Sequence, residues 1–434
     1  MTKFMLLCIS LCIILFACTQ KSYQSSELDT IAKSYVKLML EIGEYDSDFV
    51  DAYYGPENLK PDAASKKDDS SFEKLKTRID ALNSEISAID VTNLDDMQQA
   101  RVKYLHKQLI AAAARLDYSS GTTKPFDEES ALQYDAVAPT HDEAHFKDLL
   151  HALNDILPGH GSITTRLSEF KKDFIIPKAK LDAVFQAAIS EARKRTNLHF
   201  DLPENENFHV EYVTDKSWSA YNWYKGNSYS LIQVNTDLPI YIDRAIDLAC
   251  HEGYPGHHVY NALLEKNLVV NRNWVEFSVY PLFSPQSLIA EGSANYGIDV
   301  AFPGEERIAF EKETLFPLAS IDPAGAEKYY EIFALTKKLS YAGNEAARQF
   351  LDGKISRQQA IDWLIKYALM APDRAAQRLR FIEKYRSYVI NYNWGQDLVR
   401  KWIEKQGGTD EHPEQRWQIF GKLLSNPYIP SDLK

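Results

Sequence analysis

Apolar residues recur at helical spacing through most of this chain, and that recurrence limits the fold more than any other feature. Near the start they run Leu28, Ile31, Ala32, Tyr35, Val36, Met39 and Ile42, closed by Gly43. This is the i, i+3, i+4 stripe of a helix that buries one face. The same spacing predicts helices over 72–89, 97–116, 146–157 and 181–195, then over 239–252, 287–302, 325–351, 356–369 and 373–386. Gly and Pro number 18 each in 434 residues, below the roughly 12% of average usage. A loop-rich all-β fold is therefore not expected. Residues 119–130 read as a polar loop, and Gly55-Pro56 as a turn.

The texture changes near residue 200. Phe208 to Val213 alternates apolar and polar residues, and Tyr229 to Val234 is β-rich, so both read as strands. The expected fold is mainly α: a helical body with a cleft and a small β-sheet insert near residues 205–235. No linker separates residues 27–195 from 196–434. The two read as an N-terminal helical subdomain and a catalytic subdomain of a single domain, 27–434.

Composition excludes some classes. Apolar residues are 45% of the chain and aromatics 12%, enough for a large core, so whole-chain disorder is excluded. A net charge of −12 repels phosphate backbones, and nucleic acid is not an expected partner.

The N-terminus reads as an address. Met-Thr-Lys precedes an apolar run from Phe4 to Ala17, then Cys18. One positive charge before a run of about fourteen apolar residues is a secretory pattern, too short to span a bilayer. Leu15-Phe16-Ala17-Cys18 resembles the bacterial lipobox. The resemblance implies a signal peptide over 1–17, lipid on Cys18, and a lipidated polar tether over 18–26. Thr19 in place of Asp implies the outer membrane of a Gram-negative cell, facing the periplasm. Several acyl chains on one cysteine anchor stably where a single chain is marginal. Cys8 and Cys12 would leave with the leader, so Cys250 would be the one free thiol, as suits an oxidising compartment.

The densest functional stretch is His251-Glu252-Gly253-Tyr254-Pro255-Gly256-His257-His258. Zinc peptidases often place two histidines four apart on one helical face. Here the fourth position is Pro255, and the next histidines come six and seven positions on. On a continuous helix those lie roughly 9 and 10.5 Å further along the axis, too far for two ligands each about 2.0–2.1 Å from one zinc. The helix must break, and Pro255-Gly256 is the means. The helix is predicted to end after Glu252 and resume at His257, which takes the second ligand position; His258 competes for it.

A third ligand is expected from Glu291, inside a second helical pattern. Asn295 and Asp299, one and two turns beyond, are candidates to hold histidine N–H groups. Glu252 neighbours a ligand without being needed as one, and is the candidate general base. A structural metal normally takes four protein ligands, often cysteines. Cys250, about 100° from His251 on a helix, reads as core.

Tyr385, Arg386, Tyr388 and Tyr392 are candidates for groups that meet an oxyanion, with Tyr388 first. Arg386 is also a candidate to hold a substrate carboxylate. Tyr221, Trp223 and Tyr224 are candidates to floor a peptide cleft beside a strand edge. No nucleophile elbow or phosphate loop is present.

His251 to His258, with Glu291-Gly292 following and Asp51-Ala52-Tyr53-Tyr54-Gly55-Pro56 near the start, resembles the bacterial domain-of-unknown-function 885 family. That family is similar to the helical zinc carboxypeptidases of the Taq type and, more distantly, to angiotensin-converting-enzyme-like peptidases. The resemblance implies a helical zinc-metallopeptidase-like body with a deep cleft. It makes His251, His257 and Glu291 the ligands of Zn2+ and Glu252 the base. Ser293 stands where family members usually carry an aromatic residue, and Tyr385 to Gly395 matches their tyrosine-rich end only loosely. The expected function is a lipid-anchored zinc peptidase acting on peptide substrates, with carboxypeptidase as the narrower reading. The rivals are a catalytically idle lipoprotein scaffold and a zinc hydrolase of non-peptide amides or esters.

Overall fold

The computed structural model describes residues 26–61, 69–216 and 218–434. The leader, Cys18 and nearly all of the tether lie outside them. The protein is mainly α, 68% helix and 7% strand, with two small sheets.

Apolar spacing became helix where it was strongest. A helix covers 26–45, and Leu28, Ile31, Tyr35, Val36 and Met39 are all buried in it. Asp69–Ser87, Asp96–Ser119, Glu143–Ile156 and Leu181–Asn197 follow the expected spans within a few residues. Asp95 and Asp142 close two of the helix starts, each side chain accepting a backbone N–H of the first turn, as a capping residue should. The 325–351 pattern divides into Ala326–Lys338 and Tyr341–Leu351.

The polar loop expected over 119–130 is shorter than read. A helix runs Phe126–Tyr134, with Phe126 and Tyr134 fully buried. Its first turn carries Asp127, Glu128 and Glu129, which suit a helix N-terminus but read as loop polarity in a linear scan.

The predicted strands exist. β2 (Asn207–Val213) pairs parallel with β4 (Tyr229–Asn235), and β3 (Ala220–Tyr224) lies antiparallel on the other side of β4. The order β2-β4-β3 leaves β3 as an edge. A second sheet pairs β1 (Val50–Tyr53) antiparallel with β5 (Val279–Pro281). It joins the start of the chain to the approach of the Pro285–Ala301 helix.

One hydrophobic cluster runs from Leu28 to Leu433, so the first and last described segments feed a common core. Arg101, 1% exposed, binds Glu276 and reaches Asp29 at 2.6 Å. This ties the first helix to the segment that leads into β5. Leaving Glu276, which is fully buried, without that guanidinium would strand a buried charge.

Candidate metal centre

Two local devices bring the histidines together. The helix Asp243–Leu248 widens into a π turn over Ala249–Gly253, where the Tyr254 N–H donates to the Ala249 carbonyl. The helix resumes at His257, in His257–Leu264, as Pro255-Gly256 predicts. Single π turns of this kind recur at functional sites. At the fold-back the Gly256 N–H donates to the Cys250 carbonyl, and a Cβ on Gly256 would stand 2.0 Å from the His251 carbonyl oxygen. Only glycine lets the chain turn this tightly over His251.

A third device supplies Glu291. The Pro285–Ala301 helix crosses Ile390–Lys405 at Gly292 and Gly395, where a Cβ on Gly292 would meet the Gly395 backbone at 2.5 Å. This close crossing sets Glu291 beside Tyr388 and Tyr392, which line the same cavity.

The three expected ligands converge. His251 Nε2 and His257 Nε2 are 3.2 Å apart, and Glu291 Oε2 is 3.3 and 3.7 Å from them. Atoms each about 2.0–2.1 Å from one zinc at tetrahedral angles sit roughly 3.4 Å apart. Glu291 Oε2 is buried and has no hydrogen-bond partner, an orphaned charge-bearing atom that calls for a cation. The donor set of two imidazoles and a carboxylate fits zinc. Among the described residues no other group of three potential ligands gathers this way.

The surrounding groups orient the ligands. Asn295 Nδ2 donates to the Tyr392 carbonyl at 3.0 Å, which turns Asn295 Oδ1 to His251 Nδ1 at 3.1 Å. With Nδ1 carrying the proton, His251 Nε2 presents its lone pair to the cluster. The Tyr388 hydroxyl donates to Glu291 Oε1 at 2.8 Å, leaving Oε2 free. Burial pushes the Glu291 carboxyl up, but the His251 and His257 imidazoles lying beside it outweigh that and hold the group well below its usual range. His257 is raised, its burial outweighed by Glu291.

Glu252 is 5% exposed, lines the same cavity, and its carboxylate has no hydrogen-bond partner among the described residues. Its backbone carbonyl accepts from Asn222 Nδ2 of β3 at 2.7 Å. The cavity holds about 740 Å³.

Other expectations are corrected. His258 is fully buried away from the cluster, between Ser230 and Glu206, so His257 is the residue in the second position. Asp299 binds Gln396 and Arg400 and holds no histidine. Arg386 is turned inward onto Glu129 and does not line the cavity, so it cannot meet a substrate there. Of the three aromatics near β3, Tyr221 lines the cavity, while Trp223 Nε1 caps Gln233 on the sheet and the Tyr224 hydroxyl binds Glu265. Cys250 is core, fully buried, and burial pushes its thiol well up.

Two residues of the cavity were missed in the linear reading. Asp51 of β1 accepts the Tyr221 hydroxyl. Burial pushes its carboxyl up to about 6, against the opposing effects of that bond and His257. Its signal was the 51–56 motif. The second is Arg378, which no local pattern marks.

No family model matches the chain, and no curated protein matches it. The chain is similar in fold to the crystal structure of a "putative lipoprotein" from Colwellia psychrerythraea, at 14% identity and a TM-score of 0.52. The match covers 82% of this chain and 65% of that one, so the chain spans about two thirds of the solved protein's length.

Proposed function

We propose that this chain is a zinc-dependent peptidase of the kind suggested by its resemblance to the domain-of-unknown-function 885 family, anchored as a bacterial lipoprotein through Cys18 at the outer membrane and facing the periplasm. The observation that carries the reading is the orphaned Glu291 Oε2 set 3.3 and 3.7 Å from two imidazole nitrogens, with the unpaired carboxylate of Glu252 lining the same cavity. A zinc ion held by His251, His257 and Glu291 would polarise the scissile carbonyl and lower the pKa of a water molecule.

The chain's own residues divide the remaining work. Glu252 takes the proton of the attacking water and delivers it to the leaving amine. Asn295 and Tyr388 hold His251 and Glu291 in place. Tyr392 lines the cavity with a hydroxyl that has no hydrogen-bond partner among the described residues. It is the freer phenol for a developing oxyanion, since the Tyr388 proton already serves Glu291.

The peptide class is supported by β3, the edge of its sheet, whose residues Ala220 to Asn222 line the cavity. An open strand edge offers its backbone groups to an extended substrate. Anchoring is supported by the lipobox-like stretch ending at Cys18 and by the description of the structural neighbour.

The test is metal analysis with turnover on a peptide library. Purified protein should hold one zinc, and Glu252→Gln should keep it while losing about 10²- to 10⁴-fold in turnover, the span of general acid–base catalysis. Absence of stoichiometric zinc removes the metal assignment. Full turnover in Glu252→Gln removes Glu252 from the chemistry.

A further inference from the structure

Three arginines line the cavity that holds the metal centre: Arg244, Arg374 and Arg378. They differ in what their guanidinium groups already meet. Arg244 faces Asp247 across 3.3 Å. Arg374 is exposed and donates to Gln377 at 3.0 Å. Arg378 has neither a carboxylate nor a hydrogen-bond acceptor among the described residues. Its guanidinium carbon lies 4.8 Å from the Phe381 ring centre and 6.0 Å from that of Tyr392.

That arrangement is costly unless something completes it. A guanidinium carries five N–H donors in a rigid fork, and aromatic faces answer its charge while accepting none of the donors in full. Burial pushes the group down from its usual range, with Tyr392 alone opposing it. The rings on which it rests lead back to the metal centre. Tyr392 packs against Tyr388 with ring centres 5.7 Å apart, and Tyr388 bonds Glu291. Arg378 therefore lines the same cavity as the reacting groups, with its fork unpaired and partly desolvated.

We propose that Arg378 is a specificity residue that takes a carboxylate of the substrate through paired N–H···O bonds. A planar carboxylate matches the fork, and the desolvated setting strengthens the pair. The carboxylate is either the C-terminal group of a peptide or an acidic side chain. The inference rests on the hydrolase reading of the cavity for its kinetic arm only.

The kinetic arm uses the full-length, zinc-loaded protein in detergent with three peptides: a neutral peptide with a free C-terminus, the same peptide amidated, and an amidated peptide carrying one glutamate. Arg378→Gln should lower the preference for a carboxylate-bearing peptide over the neutral amide by about 10- to 100-fold, chiefly through KM, the loss expected for a charged paired hydrogen bond. Loss confined to the free C-terminus identifies the terminal carboxylate; loss confined to the glutamate peptide identifies the side chain. Arg378→Lys, which keeps the charge without the fork, should fall between wild type and Arg378→Gln. It decides the matter if the glutamine variant does not fold. An unchanged preference in a folded, zinc-loaded variant overturns the proposal.

The second arm needs no turnover. Calorimetry on the Glu252→Gln protein compares an N-acetylated neutral dipeptide acid with its amide, and an N-acetylated glutamate dipeptide amide with its glutamine counterpart. One carboxylate form should bind better, and adding Arg378→Gln or Arg378→Lys should erase most of that difference. If the chain hydrolyses nothing, the peptidase reading fails while this arm still decides Arg378. Equal binding of each pair, or a preference indifferent to Arg378, overturns the inference whatever the catalytic outcome.

Discussion

His257 and His258 are adjacent, and they serve two clusters built from nearly the same residue types. His258 joins Glu206, Tyr254 and Arg193: its Nδ1 meets Ser230 at 2.8 Å and its Nε2 meets Glu206 at 3.0 Å. Glu206 also receives the Tyr254 hydroxyl at 2.6 Å and Arg193 at 2.6 Å. Every one of these groups has a protein partner, and His258 is fully buried. His257 joins His251, Glu291 and Tyr388, yet there one carboxylate oxygen has no hydrogen bond and the cluster lines a large cavity. The difference is not composition but closure. A polar cluster that satisfies itself stabilises the fold, whereas one left short of a positive charge is set to receive one.

The largest effect should separate the two neighbours outright. His257→Ala should weaken zinc binding by more than the roughly 100-fold at the top of the range for an outer-sphere partner. It should cost little stability in the metal-free protein, because the residue is 14% exposed at the side chain and borders a cavity. His258→Ala should do the opposite, retaining zinc and lowering the unfolding midpoint. Chelator competition and thermal melts on both variants read this. A zinc loss of equal size in both would break the contrast.

How much of this was legible in the sequence follows the range of each interaction. The helical body and β2 and β4 were readable because periodicity is local. The break at Pro255-Gly256 and the third ligand Glu291 were readable because spacing and residue type sufficed. The choice between His257 and His258 was not, since consecutive helical residues point about 100° apart and the phase depends on the π turn over Ala249–Gly253. β1 was missed because it is four residues long and its partner β5 lies far along the chain. Asp51 entered the cavity with β1, and Arg378 entered on the Pro372–Tyr385 helix. Arg386 misled for the converse reason. It stands beside cavity tyrosines in the chain, but its backbone at φ 53° begins a new turn and its side chain goes to Glu129.

A smaller effect should appear in acid. Burial raises the Glu206 carboxyl, but hydrogen bonds from His258, Tyr254 and Arg193 outweigh it and bring the group from its ordinary 4.5 down to about 2. A depressed carboxyl contributes stability above its unfolded value, and that contribution is lost as pH falls through the folded value. Glu206→Gln should therefore cost on the order of 3 kcal/mol near neutral pH. The gap to wild type should narrow as pH drops from about 4.5 toward 2. Denaturant melts across that window measure it, and a gap that stays constant would remove Glu206 as the closing charge of its cluster. Zinc content should not change.

The finest test asks what the Tyr388 hydroxyl does. Tyr388→Phe removes one oxygen from a buried ring and leaves Glu291 Oε1 without its 2.8 Å donor. If the hydroxyl positions the ligand, zinc affinity should fall about 10-fold, the low end for an outer-sphere partner. Variant protein reloaded with zinc should then lose less turnover than Glu252→Gln. If the hydroxyl instead meets the oxyanion, zinc affinity should hold while turnover falls about 10²- to 10³-fold. Only the first outcome makes Tyr388 to Glu291 what Ser230 is to His258, a partner that orients without reacting. The same pair of measurements on Tyr392→Phe should then show the turnover loss without the zinc loss, because that hydroxyl carries no ligand bond.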